Sequence, residues 1–119
     1  MSARPAPKVR LRLYLHPQFA LGPGKADVLR GIRDTGSISA AGRLTGMSYK
    51  RTWELVSTMN QGFREPLVQT STGGPKGGGA CLTPTGSKVL KLYERMMAKT
   101  NDAIARDLRQ LVLMTADNN

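Results

Sequence analysis

Apolar positions change their spacing several times along this chain, and each change marks an element. Val9, Leu11, Leu13 and Leu15 alternate with Arg10, Arg12 and Tyr14, the period of two expected of a half-buried strand. His16-Pro17 ends that run, because proline has no N–H to give to a ladder. Gly22-Pro23-Gly24 then breaks the chain, and Pro23 suits the first turn of a helix. Val28, Leu29 and Ile32 follow at helical spacing until Gly36, which predicts a helix over 23–35. Ser37 is a good N-cap for a short second helix whose apolar side is Ile38, Ala41 and Leu44, closed by Gly46. Ser48 caps a third helix reaching about Gln61, with Thr52, Leu55, Val56 and Met59 inward. A short helix, a tight turn containing glycine and a capped longer helix is the helix-turn-helix arrangement.

Leu67-Val68-Gln69-Thr70 and Ala80-Cys81-Leu82 read as short strands around a glycine-rich tip over 72–79, the place a wing would occupy. Thr83-Pro84 is an N-cap and first-turn pair, so a last helix is predicted over about 84–114. Its apolar positions, among them Val89, Tyr93, Met96, Met97, Ile104, Leu108 and Leu111, recur at three and four residues over some seven turns. One small domain does not cover a stripe that long, so a partner helix in a coiled-coil-like seam is the expected cover. The fold class expected is mainly α with a small β-hairpin: a winged helix-turn-helix over residues 9–115, preceded by a basic tail over 1–8 and carrying a strand at its start and a dimerisation helix at its end.

Composition narrows the function. The chain has 119 residues, room for one domain with a modest core. Aromatics are only 5%, so aliphatic side chains and Met must do most of the packing. No apolar run approaches a membrane span, and Met1 to Arg12 lacks the apolar stretch of a secretory signal, so a cytoplasmic protein without a membrane partner is expected. Eighteen Lys and Arg stand against eight Asp and Glu, a net charge of +10, and such a field attracts polyanions. The excess is uneven. Arg4, Lys8, Arg10 and Arg12 have no acid among them, and residues 25–51 carry Lys25, Arg30, Arg33, Arg43, Lys50 and Arg51 against Asp27 and Asp34. From Val89 onward the chain is nearly neutral.

Candidate chemistry is sparse. One cysteine, Cys81, and one histidine, His16, make neither a disulfide framework nor a zinc site. Paired carboxylates and a nucleophile constellation are also lacking, so no enzyme, metal or cofactor is expected. The glycine-rich tip fits neither nucleotide motif, because Lys76 lies among glycines and the run joins two strands rather than a strand and a helix. A wing tip with Lys76 exposed and Gly77 and Gly78 permitting close approach to DNA accounts for it better. The third helix opens with Ser48, Tyr49, Lys50 and Arg51, where a recognition helix points its residues at base edges and phosphates. Trp53, one turn on, fits the DNA face and the core equally.

These residues carry a resemblance. Gly36-Ser37-Ile38-Ser39, Gly46-Met47-Ser48-Tyr49-Lys50, Trp53, Met59-Asn60-Gln61, Leu67-Val68, Gly77-Gly78-Gly79-Ala80, Leu82-Thr83, Gly86 and Leu92-Tyr93 look like the DNA-binding domain of the ModE family of molybdate-responsive regulators. The match runs over about residues 9–97, and the layout is more distantly similar to LysR-type domains. The resemblance implies a winged helix with an N-terminal strand, dimerisation partly through the long helices, and a palindromic operator. Ser37 and Ser39 then join Ser48, Tyr49, Lys50, Arg51, Trp53, Lys76, Gly77 and Gly78 as the expected DNA-binding set. Members of that family usually continue into C-terminal molybdate-binding domains, whereas this chain ends at Asn119. No residue is assigned as a molybdate ligand, and a separate effector-sensing protein stays open as a partner. The rival expectation is a nonspecific nucleoid or nucleic-acid-binding protein acting through charge alone, with steep salt dependence and no base preference.

Overall fold

A computed structural model describes residues 6–71 and 79–116. The elements are β1 (Leu13–His16), β2 (Phe19–Leu21), α1 (Pro23–Thr35), α2 (Ile38–Thr45), α3 (Tyr49–Gly62), β3 (Val68–Ser71), β4 (Gly79–Leu82) and α4 (Pro84–Met114). The starts of the helices follow from capping chemistry. Ser37 accepts from the Ala40 amide, Ser48 from that of Arg51, and Thr83 from that of Gly86. Each satisfies one amide that the helix itself leaves without an acceptor. Pro23 and Pro84 open their helices. Gly36 follows α1 at φ 72°, a left-handed turn that side chains with a Cβ disfavour.

The N-terminal strand departs from the expectation. Residues 9–12 are not in a strand, and β1 pairs antiparallel with a second strand, β2, that the alternation did not reveal. Leu13 faces Leu21 and Tyr14 faces Ala20, but His16 faces Phe19, so the register slips between Tyr14 and His16. Leu15 is the extra residue of that bulge and is 45% exposed instead of inward. His16-Pro17 does end the strand as expected, with His16 the last paired residue of β1. β2 escaped notice because Phe19, Ala20 and Leu21 are all buried, which leaves no polar face to alternate with.

The core lies where α1, α2 and α3 meet the proximal part of α4. Val28, Leu29, Ile32, Ala41, Leu55, Val56, Met59, Leu67, Leu90 and Tyr93 are buried in one cluster, with Leu11, Leu13, Val89 and Met97 packed against it. At about 25 cal/mol per Å² of apolar surface, these aliphatic side chains supply the main drive to fold. Two ties then fix the wing strands to the helices. Asn60 accepts from the amides of Leu67 (2.8 Å) and Val68 (3.1 Å) and donates to the Val68 carbonyl (3.1 Å), holding β3 on α3. The Ala80 amide donates to the Gly36 carbonyl at 2.9 Å, holding β4 on the turn between α1 and α2. The start of α4 is equally tight, because a Cβ on Gly86 would run into the backbone carbonyl of Leu67.

Beyond Met97 the long helix leaves the head. Its buried residues are Gly86, Leu90 and Tyr93, all in the first third, while Leu111, Val112, Leu113 and Met114 are exposed. Among the described residues no helix is long and apolar enough to cross a membrane.

Candidate nucleic-acid interface

The first turn of α3 presents Tyr49, 61% exposed, together with exposed Lys50 and Arg51. Thr52, Leu55, Val56 and Met59 on the opposite side are buried, so the same 3.6-residue period that anchors the helix projects its other face outward. That outer face forms an open groove of about 600 Å³ lined by Tyr49, Lys50, Trp53, Glu54, Ser57 and Thr58. Glu54 and Ser57 went unremarked in the sequence, although the period from Lys50 leads directly to both. In a major groove, Lys50 has the donors for guanine, and the Glu54 carboxylate is an acceptor suited to the cytosine amino group.

Trp53 sits on one flank of this face. Its ring meets that of Tyr49 edge-on, with centroids 6.1 Å apart and planes at 71°. The indole is half-buried and its Nε1–H is buried without a hydrogen-bond partner among the described residues. An orphaned buried donor is costly, and Trp53 also lines a second hollow of about 210 Å³. Ser37, Ser39, Tyr49, Trp53, Thr70 and Gly79 are among its walls. The N-terminus of α2, the recognition turn and the root of the wing therefore converge at one place. Ser37 and Ser39 are part of the same concave surface as Tyr49 and Trp53, although ten or more residues separate them in sequence. Trp53 packs against the core and also lines the groove.

Of the remaining expected DNA contacts, Ser48 is exposed and its Oγ is occupied as the α3 cap. Lys76, Gly77 and Gly78 lie outside the described residues.

Two of the bases in residues 25–51 are neutralised within the fold. Arg30 pairs with Asp27 at 2.9 Å and with Glu94 of α4 at 3.0 Å, while Arg33 pairs with Asp34 at 2.9 Å and approaches Glu94 at 3.9 Å. Hydrogen bonding to Asp34 holds the exposed Arg33 guanidinium above its usual pKa. Both bases are thus engaged on the α1–α4 side, whereas Arg12, Lys25, Lys50 and Arg51, like Lys8, Arg10 and Arg43, have no ion-pair partner among the described residues.

The expected seam on α4 needs a correction. Tyr93 is 3% exposed within the single chain, and its hydroxyl donates to the Leu11 carbonyl at 2.6 Å. Burial raises its phenol pKa above the usual value. Val89 and Met97 also pack on this head. These three spend their apolar surface on their own chain, because the N-terminal segment crosses α4 here. Met96, at 37% exposure, and Leu111, at 61%, remain open to solvent, and Ile104 and Leu108 are half-buried.

Known proteins agree with this architecture. No family model matches the chain. It is 39% identical over 87 residues to the transcriptional regulator ModE of Yersinia pestis, covering 73% of this chain and 33% of that one. Identity to the DNA-binding transcriptional dual regulator ModE of Escherichia coli K12 is 34% over 103 residues, covering 84% and 39%. The molybdenum-pterin-binding protein MopB of Rhodobacter capsulatus is 45% identical over 73 residues, covering 61% and 27%. The chain spans about a third of the length of the curated relatives it matches. Among solved structures, a LysR family transcriptional regulator superposes with a TM-score of 0.58 at 18% identity, over 77% of this chain and 30% of that one, which is a likeness of fold. With the capped helix pair, hairpin and long helix in place and two ModE regulators among the relatives, this is a ModE-like chain with the winged helix-turn-helix fold.

Proposed function

We propose that this chain is a sequence-specific DNA-binding transcription regulator of the ModE type, working in the cytoplasm as a homodimer on a palindromic operator. The observation that carries this reading is the exposed face of α3, where Tyr49, Lys50, Glu54 and Ser57 project from a helix anchored by its other side. Residues 9–115 act as the DNA-binding unit. Lys50 and Glu54 read base edges, while Ser37 and Ser39 lie at the backbone beside the Trp53 hollow. The wing follows the flanking strand. Dimerisation through Met96, Ile104, Leu108 and Leu111 is supported by the solvent-exposed distal part of α4. Two recognition helices then enter successive major grooves about 34–36 Å apart. Control of molybdenum-related genes is the physiological setting suggested by the relatives' names.

Selection from random duplexes tests the reading. A recovered motif with dyad symmetry is the expected outcome, and recovery of no preferred sequence overturns it in favour of nonspecific binding through charge. On the recovered motif, Lys50→Ala should weaken binding by about 1–3 kcal/mol and relax the preference at one base pair. A loss equal for all duplexes would reassign Lys50 to a phosphate.

A further inference from the structure

The flank of α3 opposite Trp53 carries a second concavity. At 3.6 residues per turn, Arg51 points about 160° away from Trp53 around the helix axis, so the two residues bracket the exposed face. Arg51 lines a hollow of about 140 Å³ together with Arg12, from the segment before β1, and Lys25, from the first turn of α1. No Asp or Glu is among its walls, and none of the three cations has an ion-pair partner among the described residues. Lys25 is held there by donating its Nζ–H to the Ala20 carbonyl at 2.6 Å and by lying 5.0 Å from the Phe19 ring centroid. Burial, then the charges of Arg12 and Arg51, lower its ammonium pKa. The fold thus gathers three like charges from three elements, an arrangement that an anion between them would relieve. The hollow also borders the start of α1, whose N-cap, Gly22, has no side-chain capping bond. The amides of Gly24 and Lys25 lie in that first turn, where the helix supplies no acceptor and its dipole favours negative charge.

We propose that Arg12, Lys25 and Arg51, with the first turn of α1, clamp one backbone phosphate of duplex DNA at the edge of the groove that α3 enters. This rests on the DNA-binding reading above and, of the base edge and phosphate open to Arg51, takes the phosphate. Met47, in the turn between α2 and α3, lines the same hollow, which places the phosphate beside the helix-turn-helix and not at a remote surface. The clamp fixes one strand on the Arg51 flank of α3, and the Trp53 hollow lies on the other.

The test measures binding of the intact chain to a labelled duplex, by anisotropy, across about 50–200 mM salt. Arg12→Gln/Lys25→Met removes two charges while keeping an aliphatic stem over Phe19, and thermal melting reports whether it folds. The slope of log K against log salt should become shallower by about 0.9, one phosphate's worth, with equal loss on specific and nonspecific duplexes. Arg12→Gln alone, at an exposed side chain, should move both quantities the same way by less. An unchanged slope and affinity in a folded variant overturns the clamp while leaving the DNA-binding reading intact. A change of preferred sequence also overturns it, since phosphate contacts do not read bases. If wild-type protein binds no duplex, the functional reading fails and the clamp with it. Inorganic phosphate that shifts the Gly24 and Lys25 amide resonances equally with and without saturating DNA would make this a free-ion site, again against the proposal.

Discussion

The two ends of α4 are built from the same kind of amphipathic pattern yet meet different fates. From Pro84 to Met97 the helix buries Gly86, Leu90 and Tyr93 against the head and ties itself to the N-terminal segment through the Tyr93 hydroxyl. From Ala98 onward it buries no residue, and apolar side chains such as Leu111 and Val112 face solvent. Hydrophobic periodicity reports that a face will be covered, but it does not report by what. The proximal face is covered by the chain that carries it, whereas the distal face is largely exposed, and the proposed homodimer would cover it. Stability of the head and association of two heads are therefore separable, and substitutions at the two ends should affect different measurements.

The largest effect is expected at the proximal end. Gly86→Ala forces a Cβ into the Leu67 carbonyl, a backbone atom that cannot swing aside as a side chain does. Overpacking of this kind costs about 3 kcal/mol or more, so the thermal transition should collapse whatever the protein concentration. Next comes the distal end. Leu108→Asp should leave the fold of the head intact by circular dichroism while weakening self-association at least tenfold, roughly 1.4 kcal/mol, in sedimentation. A variant that unfolds, or one that dimerises normally, would break the proposed division of labour. Smallest is Tyr93→Phe, which deletes only the bond to the Leu11 carbonyl and should lower unfolding free energy by about 1 kcal/mol in urea titration. Its sedimentation should match that of wild type, because the ring already lies within one chain.

Much of this frame was legible in the order of residues. The capping serines and Thr83, the opening prolines and the stop at Gly36 are local signals, and the helices begin and end close to where they place them. Local signals fail where an outcome depends on a distant partner. β2 is hidden because Phe19, Ala20 and Leu21 are covered on both sides, and the bulge that exposes Leu15 arises only when β1 is paired. Arg30 counted as free positive charge until Glu94, 64 residues away, came to face it. For the same reason Arg12, Lys25 and Arg51 were three scattered bases in the sequence, and only the meeting of α1, α3 and the segment before β1 makes them neighbours. Within the candidate interface, Tyr49 and Lys50 could be read directly. The meeting of Ser37 and Ser39 with Trp53 and the wing root could not.

The double fastening of the wing has a mechanical consequence. Asn60 rivets β3 to α3, and the Gly36 carbonyl rivets β4 to the turn between α1 and α2. With both strands fixed at their roots, the paired part of the hairpin cannot pivot independently of the helix beside it. The spacing between the two probes is thus built into the frame, like the jaws of a caliper with no screw. On the proposed function, a duplex seated across both would have to conform to that gauge, and sequences that bend or narrow easily would do so at lower elastic cost. In the proposed complex, stiffness in the protein would become a means of sensing the pliancy of DNA at base pairs no side chain touches.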